Sequence, residues 1–197
     1  MKISAIVAVA LGALALASCT PAPPTDVSVK TYKVSGTTLS TLERSLAIHG
    51  PAVPGLKGRA FAAVETSFMH SFDVNKTGAS CRYNRNGRVG LRSEVILPEW
   101  RQRDRAAPEL RVKWDIISQY AVIHEAGHIK ISQKYARELE SAYKRASAPT
   151  CEALEANMVK VANSILVRHG AEQQLFDETD APRFQAYLRR LGYSSGA

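Results

Sequence analysis

Apolar and polar positions change period near the middle of this chain. Up to about residue 100 they alternate in twos, as in half-buried strands; beyond it they recur every three or four, as in packed helices. Residues 27–34 read as a short strand, with Val27, Val29, Thr31 and Lys33 on one face and Ser28, Lys30, Tyr32 and Val34 on the other. Gly36-Thr37-Thr38 opens a helix whose apolar face is Leu39, Leu42 and Leu46. Ser40 and Glu43 have capping-box spacing, and Gly50-Pro51 stops the helix. Residues 61–73 read as a long strand with Val64, Thr66, Phe68, His70 and Phe72 on one face, His70 being a half-buried sheet histidine. A turn is expected at 75–78. Residues 81–97 give one or two strands, with Asn86-Gly87 as a hairpin turn or a bulge. Leu97-Pro98 is expected to end the sheet, and Trp100 to anchor the crossing into the second half.

The second half is helical. One long helix is expected from near 112 to about 147, and Ala148-Pro149-Thr150 breaks it. A second follows, with Leu154, Met158, Val161, Ile165, His169 and Phe176 along one stripe. Two long helices joined by a tight break form an antiparallel hairpin. The expected fold class is therefore α+β: a small N-terminal β-sheet with one helix, packed on a long helical hairpin.

On the first long helix stands His124-Glu125-Ala126-Gly127-His128. Residues four apart stack on one helix face, so the two imidazoles can share one metal ion, Zn2+ being the fitting one. Glu125, beside the first of them, is placed to act as the general base toward water. His124 and His128 fall on the stripe of Ile117, Ala121, Ile131, Tyr135 and Leu139. The alternative is a pair of packed core histidines with Glu125 on a wet face, which leaves two imidazoles facing an interior without partners, at a cost. Gly127 in a helix interior costs about 1 kcal/mol and asks for a close neighbour, a strand or a substrate backbone. Equal steps back from Pro149 place residue 170 opposite His128 and 174 opposite His124, so a third ligand is expected between about 168 and 178.

The N-terminus reads as an address. After Met1-Lys2, residues 3–17 are apolar, too short and Ala-rich for a comfortable spanning helix. Leu16-Ala17-Ser18-Cys19 resembles a bacterial lipobox, so residues 1–18 are expected to be a lipoprotein signal peptide and Cys19 the lipidated residue. An ordinary secretory leader is the alternative. Residues 19–26 are a Pro-rich tether and 27–193 one domain. Export to the periplasm, with a lipid anchor in the outer membrane, follows from this reading.

In an oxidising compartment Cys81 and Cys151 are an even pair. A disulfide between them would close a 70-residue loop, worth about 4 kcal/mol by loop entropy. Their spacing fits no compact cysteine zinc motif, the other use for them. The net charge of +8, or +7 without Lys2, favours anionic surfaces. The basic residues are scattered apart from 101–105, with no nucleic-acid motif, so no nucleic-acid partner is expected.

Taken together, Tyr32-Lys33-Val34-Ser35-Gly36-Thr37-Thr38, Gly50-Pro51, Cys81, Leu97-Pro98-Glu99-Trp100, Trp114, the His124–His128 motif, Cys151 and Phe176-Asp177 resemble the DUF922 family of predicted secreted zinc-dependent proteases. The resemblance covers residues 27–180. It implies an exported zincin-like domain with Cys81 and Cys151 paired. The family pattern continues past a Tyr-Asp pair into Thr-x-His-Gly, where a third metal ligand would lie; here the run is Phe176-Asp177-Glu178-Thr179-Asp180-Ala181-Pro182, and no histidine follows His169. The third ligand is thus open between Asp177 and His169, with Glu172 behind them, or is missing. The expected function is hydrolysis of a peptide or protein substrate by a zinc-activated water with Glu125 as base. The alternative is a zinc-binding or metal-free envelope lipoprotein, a scaffold or binding module with a degenerate site.

Overall fold

The computed structural model describes residues 22–191. Cys19, the leader and residues 192–193 of the expected domain lie outside them. The element order is β1 (Thr25–Val34), α1 (Leu39–His49), β2 (Ala63–His70), β3 (Val74–Thr77), β4 (Ser80–Tyr83), β5 (Val89–Trp100), α2 (Pro108–Arg145), β6 (Ser147–Ala148) and α3 (Cys151–Arg190). Among the described residues the fold is α+β, with two three-stranded sheets and three α-helices. None of the described helices is long and apolar enough to cross a membrane.

The first sheet has the order β1-β5-β2. β1 runs parallel to β5 and β2 antiparallel to it. The central strand carries the core: Val89, Leu91 and Ser93 are almost fully buried. Leu97-Pro98 does not end the sheet; β5 continues to Trp100 alongside Val34. Beyond Ile96 only β1 flanks it, so a residue without an N–H is tolerated on the open side. Trp100 does anchor the crossing, its indole N–H donating to Gly36 O at 2.7 Å among Val34, Leu42 and Trp114.

The second sheet, β3-β4-β6, sits at the closed end of the helical hairpin. The expected turn at 75–78 is instead strand β3, and the chain reverses at Gly78-Ala79, where Gly78 has φ +59°. Asn86-Gly87 is neither hairpin nor bulge, because β4 and β5 belong to different sheets. Val89 begins a strand whose neighbours are already set by β1 and β2, which alternation alone does not reveal. The helix break is itself paired: Ala148 of β6 faces Cys81 of β4. Cys81 and Cys151 form a disulfide, with Cα atoms 5.1 Å apart, tying β4 to the first turn of α3. The disulfide is consistent with an exported protein.

Helix starts follow local chemistry. Thr38, not Ser40, caps α1, in a capping box closed by Thr41 rather than Glu43. Pro108 stands at the start of α2, and Thr150 caps α3 by accepting from Ala153 N at 3.1 Å. Tyr135, Ala136 and Leu139 of α2 pack with Ile165 of α3 over Phe72, Val89 and Leu91. Leu154, Met158 and Ile165 of the expected stripe are buried; Val161 alone of its apolar residues up to Ile165 is exposed, and Ala162 takes its place in the packed face. His70 is exposed, its ring stacked on Tyr143 at 5.1 Å.

Candidate metal centre

The histidine motif lies mid-way along α2, and the way that helix packs divides its three functional side chains between two directions. Trp114, Ala121, Glu125, Ser132, Tyr135, Ala136 and Leu139 are the buried positions, gathered along one side of the helix. Glu125 therefore occupies a core position, 5% exposed, where the helix would otherwise carry an apolar residue. The histidines are turned a third of a turn away, half-buried toward α3. The carboxylate, not an imidazole, is deepest, so the alternative of packed core histidines with Glu125 on a wet face does not hold.

Three donor atoms converge between the helices. His124 Nε2 and His128 Nε2 are 3.1 Å apart, and Asp177 Oδ1 lies 3.1 Å from the first and 3.0 Å from the second. These residues are grouped closely enough to hold a metal ion. A tetrahedral cation with ligands at 2.0–2.1 Å separates its donors by about 3.3 Å, so the triangle is near the size such an ion requires.

The other ring nitrogens are also engaged. His124 Nδ1 is 2.8 Å from Asp180 Oδ2, and the Tyr120 hydroxyl donates to the same oxygen at 2.5 Å. The Tyr120 ring is itself held by stacking on Phe184 at 3.6 Å. His128 Nδ1 is 2.6 Å from Gln173 Oε1. Gln173 is oriented by its amide nitrogen, which donates to His128 O at 3.1 Å. A carboxylate and an amide oxygen can only accept, so both imidazoles carry their proton on Nδ1. Both Nε2 lone pairs then face one another and Asp177, a set of acceptors that a cation satisfies.

His169 is not in this group. Its Nε2 is 2.8 Å from Gln173 Nε2 and 3.0 Å from Ser132 Oγ, and its ring packs edge-on against Phe68. Burial lowers its pKa, which suits a neutral ring accepting from an amide. It steadies Gln173 and stands two hydrogen bonds behind His128. Glu172 is taken by Lys134 and Tyr135 on the hairpin surface.

Phe176 explains Gly127. Its ring stacks on His124 at 4.9 Å and meets His128 edge-on at 5.0 Å. A Cβ at Gly127 would come within 2.4 Å of that ring. The close neighbour is thus an aromatic side chain of α3, not a strand or substrate.

The electrostatics follow from burial. Glu125 has its pKa pushed up to about 7, by desolvation first and by the nearby Asp177 charge, with His128 opposing. Among the described residues its carboxylate has no hydrogen-bond partner. Asp180 is partly desolvated, yet hydrogen bonds from Tyr120 and His124 hold it below the usual carboxylate range. The Tyr120 hydroxyl is pushed up by burial and by Asp180.

Sequence reasoning missed Gln173, Asp180 and Tyr120. Gln173 lies inside the expected window but is no metal-ligand type. Asp180 lies two positions beyond it, because the hairpin pivots at Thr150 rather than Pro149. Tyr120, one turn before His124, was a signal for a hydroxyl on the same face.

The family described as bacterial protein of unknown function (DUF922) matches residues 29–183, most of the described chain. No curated protein and no solved structure matches.

Proposed function

The chain belongs to that family, and we propose that it is an exported, zincin-like, metal-dependent peptidase acting on a peptide or protein substrate, held in the periplasm by a lipid on Cys19 in the outer membrane. One observation carries this reading. His124 Nε2, His128 Nε2 and Asp177 Oδ1 converge on one point beside a buried carboxylate that has no other partner. Two imidazoles and one carboxylate oxygen are a donor set that Zn2+ takes.

A divalent metal held there supplies the positive charge that makes water nucleophilic near neutral pH. Glu125 takes the proton from water as its oxygen bonds to the peptide carbonyl carbon. It returns that proton to the nitrogen as the C–N bond breaks. Burial favours the protonated form of Glu125, which suits a group that takes up a proton and passes it on. Asp180 and Gln173 hold the two rings with Nε2 outward. β2 is an edge strand under α2, and its unpaired side offers backbone groups to an extended peptide.

A second reading keeps the metal but not the chemistry. Phe176 covers both imidazole rings, as a closed structural site would require. Peptides released by wild type and by Glu125→Gln, with the metal content of each, separate the two. Loss of cleavage with metal retained supports the peptidase. Retained cleavage overturns it. Metal without any Glu125-dependent cleavage returns the structural-metal reading, and protein that takes up no metal returns the scaffold.

A further inference from the structure

Four cationic side chains and no carboxylate line a concavity of about 590 Å³ formed by Arg82, Tyr83, Arg85, Lys144, Arg145 and Ala146. It lies at the closed end of the hairpin. Along α2 it is 17 residues from His128, about 25 Å. Lys144 is held by Glu140 at 2.6 Å, and Arg145 by the Ser141 hydroxyl. Arg82 and Arg85 have no acidic partner among the described residues. Like charges gathered round one hollow repel unless an anion joins them.

The path of the chain supplies a second, independent observation. Arg88 donates to Ala22 O at 3.4 Å and pairs with Glu140, the residue that also holds Lys144. The chain therefore enters the domain beside this basic surface. Cys19 is three residue steps before Ala22, at most about 10 Å of extended chain. An acyl chain on Cys19 would bring lipid headgroups to this end of the molecule.

We propose that the hollow binds the phosphate groups of anionic membrane lipids, orienting the domain with its basic end on the bilayer and its histidine pair away from it. The orientation rests on the lipid reading of Cys19; nothing in it rests on the metal centre.

The test uses residues 19–197 with Cys19→Ser, so that no acyl chain contributes. Its binding to vesicles containing phosphatidylglycerol is compared with binding to phosphatidylcholine alone. Binding is expected for the anionic vesicles only, falling as salt rises. Arg82→Ala with Arg85→Ala should weaken it about five-fold for each cation removed. Lys57→Ala with Arg59→Ala removes the same charge from the loop between α1 and β2 and should leave it unchanged. Equal losses in the two pairs would reduce the effect to net charge and overturn the site. So would equal binding to both vesicles, or binding of inorganic phosphate without binding of vesicles. Lipidation is read separately, from the membrane fractionation of wild type, so its failure is not confused with failure of the hollow.

Discussion

His124 and Asp180 are joined by a 2.8 Å contact between Nδ1 and a carboxylate oxygen that also receives the Tyr120 hydroxyl. Asp180 thus decides which nitrogen of His124 faces Asp177. Asp180→Asn can turn its amide N–H2 toward the ring and favour the opposite tautomer. Metal affinity should fall about 10–100-fold in that variant, measured by competition with a chelator. Unchanged affinity would deny Asp180 an orienting role.

Asp177 and His169 should separate cleanly. Asp177→Ala removes one of the three converging donors, so X-ray absorption of the zinc-loaded protein should show one fewer light-atom protein ligand or its replacement by water. His169→Ala removes a support of Gln173 and should leave the coordination shell unchanged. A shell altered by His169→Ala and not by Asp177→Ala would show that the donor set proposed here is wrong.

Gly127→Ala ought to gain about 1 kcal/mol in helix propensity. The structure reverses that sign, because the new methyl would meet the Phe176 ring. Overpacking of this kind costs about 1–3 kcal/mol. Chemical denaturation should therefore show a net loss, and Phe176→Ala in the same chain should restore part of it. Independent, additive effects of the two substitutions would contradict the contact.

Glu140 provides an acid-sensitive joint between sheet and hairpin. Burial works against its charged form, but hydrogen bonds from Lys144, Val89 N–H and Arg88 prevail and hold its pKa below the ordinary value. A depressed carboxylate stabilises the fold above its unfolded pKa, and the gain is lost as pH falls through the folded one. Glu140→Gln should flatten stability against pH on that acid limb while lowering stability at neutral pH. Parallel curves for wild type and variant below pH 5 would remove Glu140 from the acid response.

How much of this was legible in the sequence varied with the range of the interaction involved. The α+β order, the two long helices and the facing of residues near 177 toward the histidines follow from local periodicity, which helices express strongly. The site's depth did not follow. A 3.6-residue stripe admits two phases a residue apart, and only packing against β5 and β2 shows that Glu125 takes the buried one. Partition of the strands was also hidden, since β4 and β5 differ in partners rather than in pattern. Thr38 outcompeted Ser40 as cap because the chain is still extended at Thr38, with ψ 159°, and already helical at Ser40. Asp180 was out of reach because counting across a break carries an error of a few residues, and one helical turn is all that separates a ligand from its support.

The parallel pairing of β1 with β5 also sets a timetable. Thr25 lies opposite Leu91 and Val34 opposite Trp100, so every rung of that ladder joins residues 66 apart. β5 is the one neighbour β1 has in its sheet. In a chain threaded through a membrane from its N-terminus, the first strand emerges and waits, unpaired, until Trp100 has followed it. The sheet then closes first, the histidines arrive on it next, and Asp177 and Asp180 come last. For a chain so threaded, any cation the site holds would be taken up only after passage.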